Sequence, residues 1–91
     1  MLLAVDVGNT QTVAGLYEGE ELRDHWRIAT ERHRTGDELG ALYGSFLDFG
    51  DVTGVCVASS VPQLVRSYED LSARYLQAEL LVLAPTSRGS S

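Results

Sequence analysis

Apolar residues recur along this chain with two different periods, and the switch between them marks out the elements. Leu2, Leu3, Ala4 and Val5 form a short apolar run suited to a central strand. Asp6 follows at the strand's end, where its side chain can leave the core. Gly8 and Asn9 read as a tight turn, because glycine takes positive φ at little steric cost and asparagine tolerates it. Residues 12–17 resume in β-type residues, so the turn predicts a hairpin. After an acidic turn at 18–21, residues 22–29 alternate with period two and predict a third strand. Leu22, Trp26 and Ile28 mark its buried side. Asp24 breaks the alternation and implies a bulge or a solvent-reaching end.

The period changes after Thr35. Thr35-Gly36-Asp37-Glu38 has the spacing of a capping box, in which the Thr35 hydroxyl accepts from the Glu38 amide and the Glu38 carboxylate reaches back. Leu39, Leu42, Tyr43, Phe46 and Leu47 then follow helical spacing, up to Phe49-Gly50-Asp51. Gly40 and Gly44 weaken such a helix by up to about 1 kcal/mol each, or permit close packing. Residues 54–58 are a continuous apolar run, the pattern of a parallel strand buried on both faces. Ser60 reads as the N-cap of a second helix, and Pro62 fits its first turn. Val61, Leu64, Val65, Tyr68, Leu71, Tyr75 and Leu76 form that helix's apolar stripe. Residues 80–83 predict a last strand, ended by Pro85. The order β-β-β-α-β-α-β, with short hairpins first and helical crossovers after, predicts a mixed five-stranded sheet in the order 3-2-1-4-5.

The first hairpin carries the chemistry. A turn rich in Gly, Asn and Thr presents backbone N–H groups and hydroxyls to one point, an arrangement that binds anions. A carboxylate beside it repels phosphate unless a cation lies between them. Asp6 next to this turn therefore fits a Mg²⁺–phosphate site. The bare Asp-x-Gly-x-Thr string fits a polar hairpin tip equally well.

The remaining polar residues read as structure. Glu31, Arg32, His33 and Arg34 read as a solvated connection rather than a binding site. His33 has no Cys or second His at metal-ligand spacing. His25 lies within a strand, and Cys56 reads as core filler without an adjacent base. Ser60 is a weaker active-site candidate than it is a cap.

Length and composition narrow the function classes. The 91 residues, 44% hydrophobic, suffice for one small core. The net charge of −6 argues against binding nucleic acid or an anionic membrane through bulk charge. No apolar run approaches the roughly 20 residues of a membrane helix. The apolar start is cut by Asp6, too early for a signal-peptide core. A lone Cys56 excludes an intrachain disulfide framework. A cytoplasmic protein is the expectation.

Three blocks, in order, carry a family resemblance. Residues 5–10, Val-Asp-Val-Gly-Asn-Thr, with Leu2-Leu3-Ala4 before and Thr12-Val13-Ala14-Gly15-Leu16-Tyr17 after, resemble the first phosphate motif of the superfamily of actin-like, acetate and sugar kinases. His25-Trp26-Arg27-Ile28-Ala29-Thr30-Glu31-Arg32, followed by Arg34-Thr35-Gly36-Asp37-Glu38, resembles a segment of the type III pantothenate kinases. Ala58-Ser59-Ser60-Val61-Pro62 is similar to a third segment of the same family. A sugar kinase would account for the first block only.

The resemblance implies a ribonuclease-H-like half of an actin-like ATPase fold over residues 1–85. It implies transfer of the γ-phosphoryl of ATP to the primary hydroxyl of pantothenate, the first step towards coenzyme A. It places ATP phosphates against Asp6, Val7, Gly8, Asn9, Thr10, Gln11, Thr12 and Val13, with Asp6 organising Mg²⁺ mostly through water. It also implies a monovalent cation, K⁺ or NH₄⁺, and a homodimer, with no nucleic-acid or membrane partner. After Pro85 the chain departs from the family, and residues 86–91 read as a divergent or truncated tail that keeps only Arg88 of the expected turn. The family's catalytic aspartate and pantothenate-contacting segment are expected beyond Ser91, so no catalytic base is assigned within the chain. Residues 1–91 alone are then expected not to phosphorylate pantothenate. The alternative is a non-catalytic accessory or regulatory binding module of the same family.

Overall fold

The computed structural model describes residues 1–83. Five strands form one sheet: β1 (Leu2–Val7), β2 (Gln11–Glu18), β3 (Glu21–Ala29), β4 (Gly54–Ser59) and β5 (Glu79–Leu83). Their spatial order is β3-β2-β1-β4-β5, as the sequence predicts. β1 pairs antiparallel with β2 and β2 with β3, whereas β4 runs parallel to β1 and to β5. Two helices supply the crossovers, α1 (Gly36–Gly44) and α2 (Pro62–Leu71). A single turn of π-helix, Ser72–Leu76, extends α2, and Gln77 ends it in the left-handed conformation with φ 50°.

The core lies between the sheet and the two helices. Leu3, Val5 and Val7 of β1, Ala14 and Leu16 of β2, and Val55 and Val57 of β4 point to one face, since alternate side chains share a side. Leu39 and Tyr43 of α1 meet Leu64, Tyr68 and Leu71 of α2 above them. Each fully buried aliphatic side chain of this set contributes about 1.5–3 kcal/mol. Trp26 and Ile28 of β3 reach the same side, where the Trp26 ring packs at 4.6 Å on Phe46.

The capping box forms as read. The Glu38 amide donates to the Thr35 hydroxyl at 3.1 Å, and the Thr35 amide donates to the Glu38 carboxylate at 2.8 Å. Gly40 gives the close packing foreseen, because a Cβ there would sit 2.9 Å from the Tyr75 ring. The helix is shorter than its apolar spacing suggests: Phe46 and Leu47 lie past its end, and Phe49–Asp51 form a 3₁₀ turn capped by Asp48.

Four readings are corrected. Leu22 is not on the buried side of β3. The β2–β3 register slips between Leu16 and Tyr17, so Leu22 pairs with Tyr17 on the opposite face and is 46% exposed, while Asp24 pairs with Leu16. The bulge that Asp24 suggested therefore exists, and it moves Leu22 across the sheet. The Gly8–Asn9 turn needs no positive φ; the left-handed residues among those described are Gly19 and Gln77. Ser60 does not cap α2: Val61 holds the N-cap position, and Ser59 instead closes a small ring with it, accepting from the Val61 amide at 2.9 Å and donating to the Val61 carbonyl at 2.8 Å. Finally, β4 is buried on one face only. Both helices pack on the side of Val55 and Val57, and Cys56 on the other side is half-buried rather than core. Pro85 and the 86–91 tail lie outside the described residues.

Candidate functional site

The carboxyl ends of β1 and β4 meet the start of β2 and the end of β3 at one edge of the sheet. In open α/β sheets this edge is where ligands gather. Pairing places Asp6 in a cross-strand row Arg27–Val13–Asp6–Ala58–Leu83, all on the face away from the helices. The Asp6 carboxylate is thus exposed, and it makes no ion pair among the described residues. A cavity of about 490 Å³ opens on this face, lined by Asp6, Val13, His25, Cys56, Ala58 and Leu83 among others.

The hairpin tip is Gly8-Asn9-Thr10. The Gly8 amide donates back to the Gln11 carbonyl at 2.9 Å, which closes the tip and removes that amide from the set of free donors. A Cβ on residue 8 would lie 2.9 Å from the Gln11 carbonyl oxygen, so close approach of backbone to backbone is what requires glycine here. The amides of Asn9 and Thr10 donate to no acceptor among the described residues. Both residues are exposed.

Two other segments brace this tip. The Ser60 amide donates to the Val7 carbonyl at 2.8 Å, tying the β4–α2 turn to the end of β1. The Thr30 amide donates to the Thr10 carbonyl at 3.0 Å, and the Thr12 and Thr30 hydroxyls meet at 2.8 Å. Of the residues assigned to phosphate binding, Asp6, Asn9, Thr10, Gln11 and Val13 are exposed at this edge, and Gly8 is half-buried. Val7 and Thr12 are buried, so the Val7 side chain belongs to the core and the Thr12 hydroxyl is engaged with Thr30.

Sequence reading missed one participant. The Arg32 guanidinium donates to the Asn9 side-chain oxygen at 3.4 Å, so the connection read as solvated touches the hairpin tip. The signal was a basic residue in an acidic chain directly after the strand that pairs with β2.

No group of three or more metal-ligating side chains occurs among the described residues. A single free carboxylate is what a Mg²⁺ ion held mainly by water and phosphate oxygens requires, so the residues present fit that ion. No helix among the described residues is long and apolar enough to cross a membrane.

Comparison with known proteins gives the family. A family model described as type III pantothenate kinase matches residues 2–90. Curated relatives of that description include one from Brevibacillus brevis, 44% identical over 90 residues, and one from Anaeromyxobacter sp., 49% identical over 90 residues. Each alignment covers 93% of this chain and 35% of the relative. A third, from Acidothermus cellulolyticus, is 45% identical over 93 residues, covering 97% of this chain and 36% of the relative. The chain spans about a third of the length of the curated relatives it matches.

Proposed function

The chain belongs to the type III pantothenate kinase family, and from that premise we propose that it forms the phosphate-binding part of an enzyme that phosphorylates pantothenate with ATP. The observation that carries this reading is the exposed Asp6 carboxylate beside the free amides of Asn9 and Thr10. Phosphoryl transfer asks little covalent chemistry of a protein and a great deal of positioning and charge stabilisation. ATP would supply the γ-phosphoryl group; the new bond would form to the primary hydroxyl oxygen of pantothenate as the bond to the ADP oxygen breaks, with the hydroxyl proton released to a general base or to solvent. Asn9 and Thr10 would donate to phosphate oxygens. Asp6 would hold Mg²⁺ through its water shell and so offset its own repulsion of the phosphates. Thr12, Thr30 and Ser60 brace the tip. The monovalent cation, the cytoplasmic location and the homodimer rest on the family likeness.

The test is a chimera in which residues 1–90 replace the matching segment of the Brevibacillus brevis relative. Pantothenate-dependent ADP release is expected, together with at least a tenfold loss of turnover in Asp6→Asn, about 1.4 kcal/mol of barrier. A folded chimera that turns over normally with Asn at position 6 would refute the role given to Asp6. A folded chimera without any turnover, beside an active parent, would refute the reading as a whole.

A further inference from the structure

We infer that Arg32 is a phosphate-binding residue, an arm that the β3–α1 connection lays across the hairpin tip. The inference rests on the reading of that tip as a phosphate site and adds to it a cation that the turn itself lacks.

The backbone that carries this arm is held at both ends. At its start, the Thr30 amide is bonded to the Thr10 carbonyl and the Thr30 hydroxyl to that of Thr12. Within it, the Arg34 amide donates to the Glu31 carbonyl at 3.2 Å, and the Arg34 guanidinium donates to the Ala29 carbonyl at 3.3 Å. At its end, the Ser67 hydroxyl of α2 donates to the Arg34 carbonyl at 2.7 Å, and Thr35 opens the capping box of α1. Arg32 is thus carried on a short segment fixed at both ends.

The side chain itself is underused. It is exposed, and its one hydrogen bond among the described residues is the 3.4 Å contact to Asn9. It forms no ion pair among them, unlike Arg23 and Arg74. A guanidinium carries five donors in a planar fork that matches phosphate oxygens, and one contact leaves most of that fork free. The contact to Asn9 places the guanidinium beside a residue whose own amide, like that of Thr10, is without an acceptor among the described residues. In a chain of net charge −6, an exposed guanidinium carried on a braced backbone segment, with no ion pair among the described residues, has room for an anion at this point. A phosphate oxygen on the hairpin amides supplies that anion.

The experiment uses the 91-residue chain, inorganic tripolyphosphate and MgATP as probes, and amide and arginine side-chain NMR shifts as the readout. In the wild-type chain, shifts should concentrate at Asn9, Thr10 and the Arg32 side chain. Arg32→Gln keeps a donor for Asn9 but removes the charge, and should raise the apparent Kd at least about fivefold. Arg32→Lys should fall between the two, and it decides the matter if the Gln variant loses its dispersed spectrum. Arg23→Gln, at the far end of β3, should bind as wild type. If Arg32→Gln binds as wild type while the Asn9 and Thr10 shifts persist, Arg32 merely props the asparagine and the inference fails, leaving the hairpin reading intact. If neither probe moves the hairpin amides in the wild-type chain, the phosphate role of the tip fails and this inference with it.

Discussion

The hydroxyls of Tyr43 and Tyr68 meet at 2.8 Å between the two helices, in a pocket that leaves both side chains almost wholly buried. The rings stand edge to face with centroids 6.0 Å apart. Each hydroxyl gives the other a partner, so two polar atoms enter the core without a desolvation penalty left uncompensated.

That pairing predicts a non-additive mutant cycle. Tyr43→Phe or Tyr68→Phe alone strands the other hydroxyl and should cost about 1–3 kcal/mol, whereas the double Phe variant should cost less than either. Urea denaturation of the three variants checks this, and a double variant worse than both singles would contradict it.

The same pair predicts alkaline sensitivity. Burial raises both tyrosines above their ordinary value of 10.0, with Tyr68 pushed up to about 12 and Tyr43 higher still. A group whose pKa is raised by folding contributes stability that is intact below the unfolded value. Stability should therefore be flat with respect to these groups below pH 10.0 and fall as the pH climbs towards about 12. The double Phe variant should lose this component of the fall, as read from denaturation midpoints taken across that range.

Gly8→Ala should destabilise the fold by about 1–3 kcal/mol, because the new Cβ meets a carbonyl oxygen that is itself part of the hairpin's closing bond. Since the obstacle is backbone, no rotamer change relieves it. Thermal unfolding compared with Gly50→Ala, whose nearest contact is 3.4 Å to an Asp48 side-chain oxygen, is the control.

Thr35→Ala removes one half of the capping box and should cost about 1 kcal/mol, with Thr35→Ser close to neutral. Chemical denaturation distinguishes the two, and equal losses would mean that the Thr35 methyl, not its hydroxyl, matters.

Leu81→Ser should change stability by no more than about 0.5 kcal/mol, despite replacing a leucine in a strand, because Leu81 is 60% exposed on the face that no helix covers. Val57→Ser, one strand inward on the opposite face, should be far more damaging, since Val57 is fully buried. Parallel urea titrations settle the contrast.

How much of this was legible depends on the distance over which each feature is encoded. Strand order, crossover positions and the Thr35–Glu38 box follow from local period and spacing, and they were read correctly. The side of Leu22 was not, because the bulge opposite Leu16 and Tyr17 turns the residues before Asp24 to the other face; Asp24 marked an irregularity in the alternation but not which residues it would move. The apolar run of β4 suggested two covered faces; an apolar side chain reports a preference for burial, not its attainment. Asp6 was legible as a site candidate from its neighbours in sequence. The Arg32–Asn9 contact and the Tyr43–Tyr68 pair join residues more than twenty positions apart, and only the assembled fold brings them together.

The mixed direction of the sheet has a kinetic consequence. β1, β2 and β3 are joined by tight turns and can pair with little loop-closure cost, on the microsecond scale typical of hairpins. β4 must return to the free edge of β1 across all of α1 and its flanking loops, a non-local closure that comes at greater entropic cost. An early meander would therefore already display Asp6 and the glycine tip, while the Ser60–Val7 bond that braces them waits for the parallel strand to arrive. A chain leaving the ribosome would carry the outline of its candidate site well before the strut that steadies it.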